Sequence, residues 1–93
     1  MNDNTQCHTT LINAITRGQT AVINECINAG VDLNVRFSEG NSYLIEAVLN
    51  RQTESVKALL HGGADINAQR DDGMSPLNVA SSKGFTDIVR ILL

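Results

Sequence analysis

Few residues of this 93-residue chain are of the types that carry chemistry in enzymes, and their spacing matches no catalytic or metal-binding pattern. Cys7 and His8 are adjacent, which suits neither two metal ligands on one helix face nor a Cys–His pair that a fold brings together. The chain has no Gly-rich phosphate loop and no paired-cysteine zinc spacing. The sequence therefore predicts a protein that is not an enzyme, with no catalytic residue, no cofactor and no metal site.

Two other residues with reactive side chains have structural explanations. Cys26 occupies an apolar position of a helical pattern, which predicts a core residue. His61 lies near the end of a predicted helix, where the helix dipole favours a partial positive charge. Two cysteines do not form a disulfide framework, which favours a reducing, cytoplasmic compartment.

The charge balance and the hydropathy pattern exclude several classes of partner. Seven basic and ten acidic residues give a net charge of −3, whereas nucleic-acid binding normally requires a basic face. No segment has the 18 or so consecutive apolar residues of a membrane-spanning helix. The first ten residues lack the basic and apolar regions of a signal peptide. We therefore expect a protein partner, and neither nucleic acid nor a membrane.

The composition indicates a core built from aliphatic side chains. Apolar residues make up 42% of the chain but aromatic residues only 3%. A compact globule of this length usually buries several aromatic rings, because each covers a large area. Their scarcity favours an architecture of repeated thin layers.

Repetition at a period of 33 residues is the strongest pattern in the chain. When the sequence is aligned with itself at that offset, sixteen of the 60 overlapping pairs are identical, where chance gives about four. The matches include three triplets, namely Leu11, Leu44 and Leu77; Ala14, Ala47 and Ala80; and Thr20, Thr53 and Thr86. The chain is therefore predicted to be a stack of similar units.

Each period contains two segments with helical spacing, followed by a turn-rich segment. The predicted helices span residues 9–16, 20–29, 42–49, 53–62, 75–82 and 85–93. Ser75 is the predicted N-cap of the fifth helix, Pro76 its first residue, and Gly84 its left-handed C-terminal cap. The connecting segments, residues 31–41 and 64–74, are called finger 1 and finger 2 below.

A 33-residue helix–turn–helix unit with a turn-rich finger, carrying DGMSPLNVA at 72–80 and GADIN at 63–67, resembles the ankyrin repeat. The resemblance covers residues 9–93 as repeats at about 9–41, 42–74 and 75–93, after a polar N-terminal edge at residues 1–8. It implies an all-α solenoid of antiparallel helix pairs joined by β-turn or hairpin fingers.

One departure from the family pattern has a predicted backbone consequence. Arg51 replaces the glycine that ends the first helix of a repeat, where Gly18 and Gly84 occupy the equivalent positions. We expect Arg51 either to adopt a left-handed conformation, at a cost of about 1 kcal/mol, or to relax the turn.

Four polar residues repeat at the base of the fingers, and their side chains are of types that close turns. These residues are Asp32, Asn34, Asp65 and Asn67, and we interpret them as turn-closing groups. The resemblance implies one alternative, because in some ankyrin proteins the asparagine that matches Asn67 is hydroxylated by an enzyme.

The resemblance also implies a binding surface. In ankyrin proteins the finger tips and the exposed side of each first helix line a concave face that binds partner proteins. Matched by position, the predicted contacts here are Arg17, Ser38, Glu39, Asn41, Leu49, Asn50, Asp71, Asp72, Met74, Ser82 and Lys83. Leu49 and Met74 are apolar among polar neighbours, which is typical of an interface centre. The alternative is that both are isolated exposed apolar residues of the ordinary kind.

Two hypotheses for function remain open. The first is a non-catalytic module that binds a protein partner through the concave face. The second is a regulatory or targeting segment of a larger protein whose catalytic domain lies beyond residue 93. The last residues, Ile91–Leu93, predict an uncapped apolar helix surface, so we expect a further repeat, another molecule or a second copy to cover it.

Overall fold

The computed structural model describes the backbone of residues 3–93, and the side chains from His8 onward. This part of the chain forms six α-helices in three helix–turn–helix pairs and contains no strand. The helices are α1 (Asp3–Arg17), α2 (Thr20–Asn28), α3 (Tyr43–Leu49), α4 (Thr53–His61), α5 (Pro76–Lys83) and α6 (Thr86–Leu92), with one 3₁₀ turn at Ser38–Gly40. The predicted all-α solenoid is confirmed.

The helix pairs stack into two layers. The first helices of the repeats, α1, α3 and α5, pack side by side, and the second helices, α2, α4 and α6, form the other layer. The core between the layers is aliphatic, as the composition predicts, and includes Leu11, Ile15, Ile23, Leu44, Val48, Val56, Leu59, Val79 and Ile88, each at most 2% exposed. Within residues 3–93, no helix is long and apolar enough to cross a membrane.

Local chemistry sets the boundaries of α5 as the sequence predicts. The Ser75 hydroxyl accepts a hydrogen bond from the Asn78 amide (3.2 Å), and the Asn78 side chain accepts one from the Ser75 amide (3.1 Å). These two bonds form a capping box, in which each residue satisfies a backbone group of the other. Pro76 follows at the first helical position, and Gly84 ends the helix with a φ of 72°.

The first helix begins six residues earlier than predicted. Residues 3–8, interpreted as an N-terminal edge outside the repeats, continue α1 toward the N-terminus. An existing helix gains one hydrogen bond for each residue added without a new nucleation step, so a polar segment with little helical patterning extends it. The 33-residue comparison gave no indication of this extension, because residues 3–8 align with residues 36–41 of finger 1 and match none of them.

Arg51 adopts the left-handed conformation, with a φ of 52°. Its guanidinium carbon lies 4.9 Å from the centre of the Phe85 ring, and one of its nitrogens lies 3.6 Å from a carboxylate oxygen of Asp87. The Arg51 side chain of repeat 2 therefore contacts repeat 3, at the residue whose backbone has the unfavourable positive φ.

The C-terminal end is less exposed than the sequence suggests. Leu92 is buried and Ile91 half-buried, because α6 packs against α4 and α5, whereas Leu93 is 86% exposed. The predicted exposed apolar surface is therefore correct for Leu93 and wrong for Leu92. Self-association through this end stays a prediction.

Candidate protein-binding surface

The bases of the two fingers are closed by the four repeated polar residues. The Asp32 carboxylate accepts from the Asn34 amide and the Asp65 carboxylate from the Asn67 amide, each at 2.9 Å. The Asn34 side-chain oxygen also accepts from the Asp65 amide at 2.9 Å, so it connects one finger to the next. The turn-closing interpretation is confirmed for the side chains of Asp32 and Asp65, whereas Asn34 and Asn67 take part in these turns through their backbone amides.

Charged side chains connect the fingers near their tips. Arg36 donates to the Gln69 carbonyl at 2.6 Å and lies 3.5 Å from the Asp71 carboxylate. Arg70 of finger 2 in turn lies 3.5 Å from the carboxylate of Glu39 in finger 1. The backbone carbonyl of Glu39 also accepts a hydrogen bond from the Asp71 amide at 3.1 Å. Exposed ion pairs contribute little stability individually, but together with the backbone bond they fix the position of one finger relative to the other.

Gly40 allows this close approach. A Cβ at that position would lie 2.6 Å from the Asp71 backbone nitrogen, and the φ of Gly40 is 77°. Any other residue would therefore separate the fingers as well as strain the backbone. Glu39, next to it, also has a positive φ of 62°, a strain that the sequence did not reveal.

The predicted finger-tip contacts divide by exposure. Ser38, Glu39, Asp71 and Asp72 are exposed, and Met74 is half-buried with its amide donating to Asp72 at 3.0 Å.

Asn41 is the exception, and its predicted exposure is wrong. Only 6% of it is exposed, and its side-chain nitrogen donates to the Glu46 carboxylate at 3.0 Å. It is the last residue of finger 1, just before α3, and its side chain faces the protein rather than a partner.

The predicted helix contacts lie at the C-terminal ends of the first helices. Three of them are exposed at the same position of successive repeats, namely Arg17, Asn50 and Lys83. In the row beside them, the Thr16 and Ser82 hydroxyls each donate at 3.0 Å to the carbonyl three residues earlier. Leu49, between them, is half-buried and packs against the core.

The two proposed apolar anchors are not adjacent. Leu49 is the last residue of α3, whereas Met74 precedes Ser75, the N-cap of α5. The helices α3 and α5 occupy the same place in successive repeats, so Leu49 and Met74 lie at opposite ends of the layer of first helices. Their separation along the helix axis is about the length of α3, which has seven residues and is roughly 10 Å long. Glu46, which the sequence did not indicate, is a half-buried acidic residue of α3.

Sequence reasoning also missed a cluster of rings near finger 1. The His8 Nδ1 lies 2.7 Å from the Tyr43 hydroxyl, and the rings of His8, Phe37 and Tyr43 have centres 5.0 to 5.5 Å apart. His8, which was predicted to belong to a polar N-terminal edge, is half-buried against these rings. The available signal was that His8 falls at the same position of the period as Asn41 and Met74.

Of the residues considered for chemistry, His8, Cys26 and His61 lie on three different helices. Cys26 is buried, as predicted for a core residue, and His61 is exposed at the end of α4. The side chain of Cys7 lies outside the described residues. Among the side chains that are described, no group of three or more His, Cys, Asp or Glu could hold a metal ion.

A family model for ankyrin repeats (3 copies) matches residues 1–70. The chain belongs to the ankyrin repeat family, and α5 and α6 continue the same period beyond the matched residues. Ankyrin repeats are generally protein–protein interaction modules, and the family is typically non-catalytic. The search of curated proteins found no match.

Proposed function

We propose that this chain is a non-catalytic module that binds a partner protein through the exposed side of α1, α3 and α5 and the tips of its two fingers. The observation that carries this proposal is the aligned row of Arg17, Asn50 and Lys83 beside the half-buried Leu49. A partly exposed aliphatic side chain with polar neighbours is typical of a residue that a partner covers.

The cross-linked fingers support the same proposal. Binding orders side chains and loops at a cost in free energy, and a surface that is already rigid avoids part of that cost. The Arg36–Asp71 and Arg70–Glu39 contacts hold exposed finger-tip groups in place without a partner. We also propose a cytoplasmic location, which is consistent with two cysteines, one of them buried in the core.

Replacing Leu49 by threonine tests the proposal. Threonine is the residue that repeat 1 carries at the equivalent position, Thr16, so the backbone tolerates it. Loss of the aliphatic contact should weaken binding by about 1–2 kcal/mol, because the partner loses an apolar neighbour. The partner is first captured from the native source. The parent chain and the Leu49→Thr variant are then each titrated against it calorimetrically.

The matched control is Glu54→Gln on α4, in the other helix layer. Glu54 forms an exposed pair with Lys57 at 3.5 Å, so its loss should change affinity by less than about 0.5 kcal/mol. Thermal melts accompany both titrations. Unchanged binding by Leu49→Thr would contradict the proposed surface, and a large loss of stability would show that Leu49 serves the core instead.

A further inference from the structure

A groove of about 560 Å³ lies between α1 and finger 1. Val31, Val35 and Phe37 form its apolar side, and the rings of His8 and Tyr43 lie against Phe37. Its volume falls within the range of about 300–1,000 Å³ typical of binding pockets. None of its described lining residues belongs to the predicted partner contacts, so this finger-1 groove is a separate feature.

Finger 2 does not repeat the groove's lining. Where finger 1 carries Val31, Val35 and Phe37, finger 2 carries Ala64, Ala68 and Arg70. The chain has only three Phe and Tyr residues in total, and two of them line this groove. The apolar lining is therefore a property of the first repeat, and the general repeat fold does not require it.

Val35 leaves part of this lining open to solvent. It is 40% exposed, although it is a large aliphatic residue, and an extended segment laid along finger 1 would cover it. Burial of that surface against an apolar side chain of the segment is favourable.

The charges around the groove favour a cationic partner. The one arginine in the lining, Arg36, already donates to the carbonyls of Gln69 and Gly40 and faces Asp71. Asp32 is exposed at the rim, and Gly30 marks the C-terminal end of α2, which carries partial negative charge. Fingers 1 and 2 together contain five acidic and two basic residues. Asp71 and Glu39 pair with Arg36 and Arg70, so Asp32, Asp65 and Asp72 carry the net negative charge of the two fingers.

We infer that the finger-1 groove binds an extended segment of the partner protein in which an apolar side chain is flanked by Lys or Arg. The apolar side chain packs against Val35 and Phe37, and a flanking cation lies near Asp32 at the rim of the groove. This inference rests on the proposed protein-binding function and adds a second contact area, with a defined partner chemistry, to it.

The test uses short synthetic peptides and the full 93-residue chain. The central peptide residue is Leu or Ser, and the flanking residues are Lys, Gln or Glu. Amide chemical-shift mapping locates the bound peptide, and fluorescence titration gives its affinity. The Lys-flanked Leu peptide should bind best, shift the amides of Val31, Val35 and Phe37, and weaken as ionic strength rises from about 0.05 to 0.3 M.

Two matched variants then test the groove itself. Val35→Ala installs the residue that finger 2 carries at Ala68, and should lower affinity about 5- to 10-fold through lost apolar contact. Ile66→Ala removes a similarly exposed aliphatic residue, 37% against 40%, from finger 2, and should leave affinity unchanged.

Binding that does not depend on flanking charge, or an equal effect of the two variants, would overturn the inference. The same holds if the captured partner loses affinity with Leu49→Thr but not with Val35→Ala, in which case the proposed function stands without the groove. If the captured partner is insensitive to Leu49→Thr but sensitive to Val35→Ala, the groove stands and the first-helix surface fails.

Discussion

The two inter-repeat interfaces of this chain share one backbone arrangement but differ in chemistry. Between repeats 1 and 2, the Gln52 side chain donates to the Thr16 carbonyl at 2.8 Å, and the buried Ser55 hydroxyl donates to the Ile15 carbonyl at 3.0 Å. Polar side chains of the second repeat therefore donate to carbonyl groups at the C-terminal end of α1, where the regular hydrogen bonds of a helix end.

Between repeats 2 and 3 the same positions are apolar. Phe85 replaces Gln52 and Ile88 replaces Ser55. Arg51 covers the Phe85 ring, and Ile88 is fully buried. The comparison shows that one solenoid can join its repeats either by hydrogen bonds to helix ends or by apolar packing. Substitutions at equivalent positions of the two interfaces should therefore differ in their effect on stability.

The largest expected effect is at the apolar interface. Ile88→Ala should lower the free energy of unfolding by about 3 kcal/mol, because it leaves a cavity at a fully buried position. Ser55→Ala, at the equivalent position, should cost only about 1 kcal/mol, since the Ile15 carbonyl keeps a bond from the Gly18 amide. Urea unfolding of the two variants measures the difference, and equal losses would contradict the distinction between the interfaces.

The next effect concerns Gly18, which is tied to the polar interface. Its φ is 71°, and a Cβ there would lie 2.8 Å from the Gln52 side-chain oxygen. Gly18→Ala should cost about 2 kcal/mol, because left-handed strain is joined by loss of the Gln52 hydrogen bond. Gly84→Ala, with φ 72° and open space around it, should cost only about 1 kcal/mol.

A double variant sharpens the Gly18 prediction. Once Gln52→Ala has removed the crowding side chain, Gly18→Ala should cost the same as Gly84→Ala, within about 0.5 kcal/mol. Strict additivity of Gly18→Ala and Gln52→Ala in thermal or urea unfolding would show that the two residues are not coupled.

The smallest effect is expected at Arg51. Arg51→Gly should leave stability within about 0.5 kcal/mol of the parent chain, because relief of left-handed strain offsets loss of the contact with Phe85. Arg51→Ala keeps the strain and loses the contact, so it should be less stable by about 0.5–1 kcal/mol. The pair with Asp87 is roughly half-exposed and contributes little. If Arg51→Gly raises the free energy of unfolding by more than about 1 kcal/mol, the contact between Arg51 and Phe85 does not stabilise the chain.

The 33-residue periodicity predicted most of the fold, because each repeat gives an independent indication of where the helices of the other repeats lie. Five of the six helices begin and end within one residue of the predicted bounds, and Arg51 adopts the left-handed conformation that its alignment with Gly18 suggested. The extension of α1 escaped prediction because residues 3–8 align with residues 36–41 of finger 1, which form no α-helix.

The candidate surface was less predictable, because matching by position gives a residue's place in a repeat but not its surroundings. Asn41 was matched to a finger tip, yet a hydrogen bond to Glu46 accompanies its burial. The finger-1 groove depends on His8 and Tyr43, which are 35 residues apart, so only the folded chain brings them together. One sequence signal was available, because finger 1 carries the apolar Phe37 where finger 2 carries the charged Arg70.

The contact between Gly18 and Gln52 also means that the repeats are not interchangeable parts. A second copy of repeat 2 placed directly after repeat 2 would bring a glutamine equivalent to Gln52 against Arg51, whose Cβ occupies the space that Gly18 leaves empty. Repeat 2 fits after a repeat that ends its first helix in glycine, whereas after itself its glutamine side chain would have to turn away and lose the hydrogen bond that Gln52 donates to Thr16. The chain thus encodes an order for its modules, and an engineer who extends this array would need to match each helix ending to the residue that follows it.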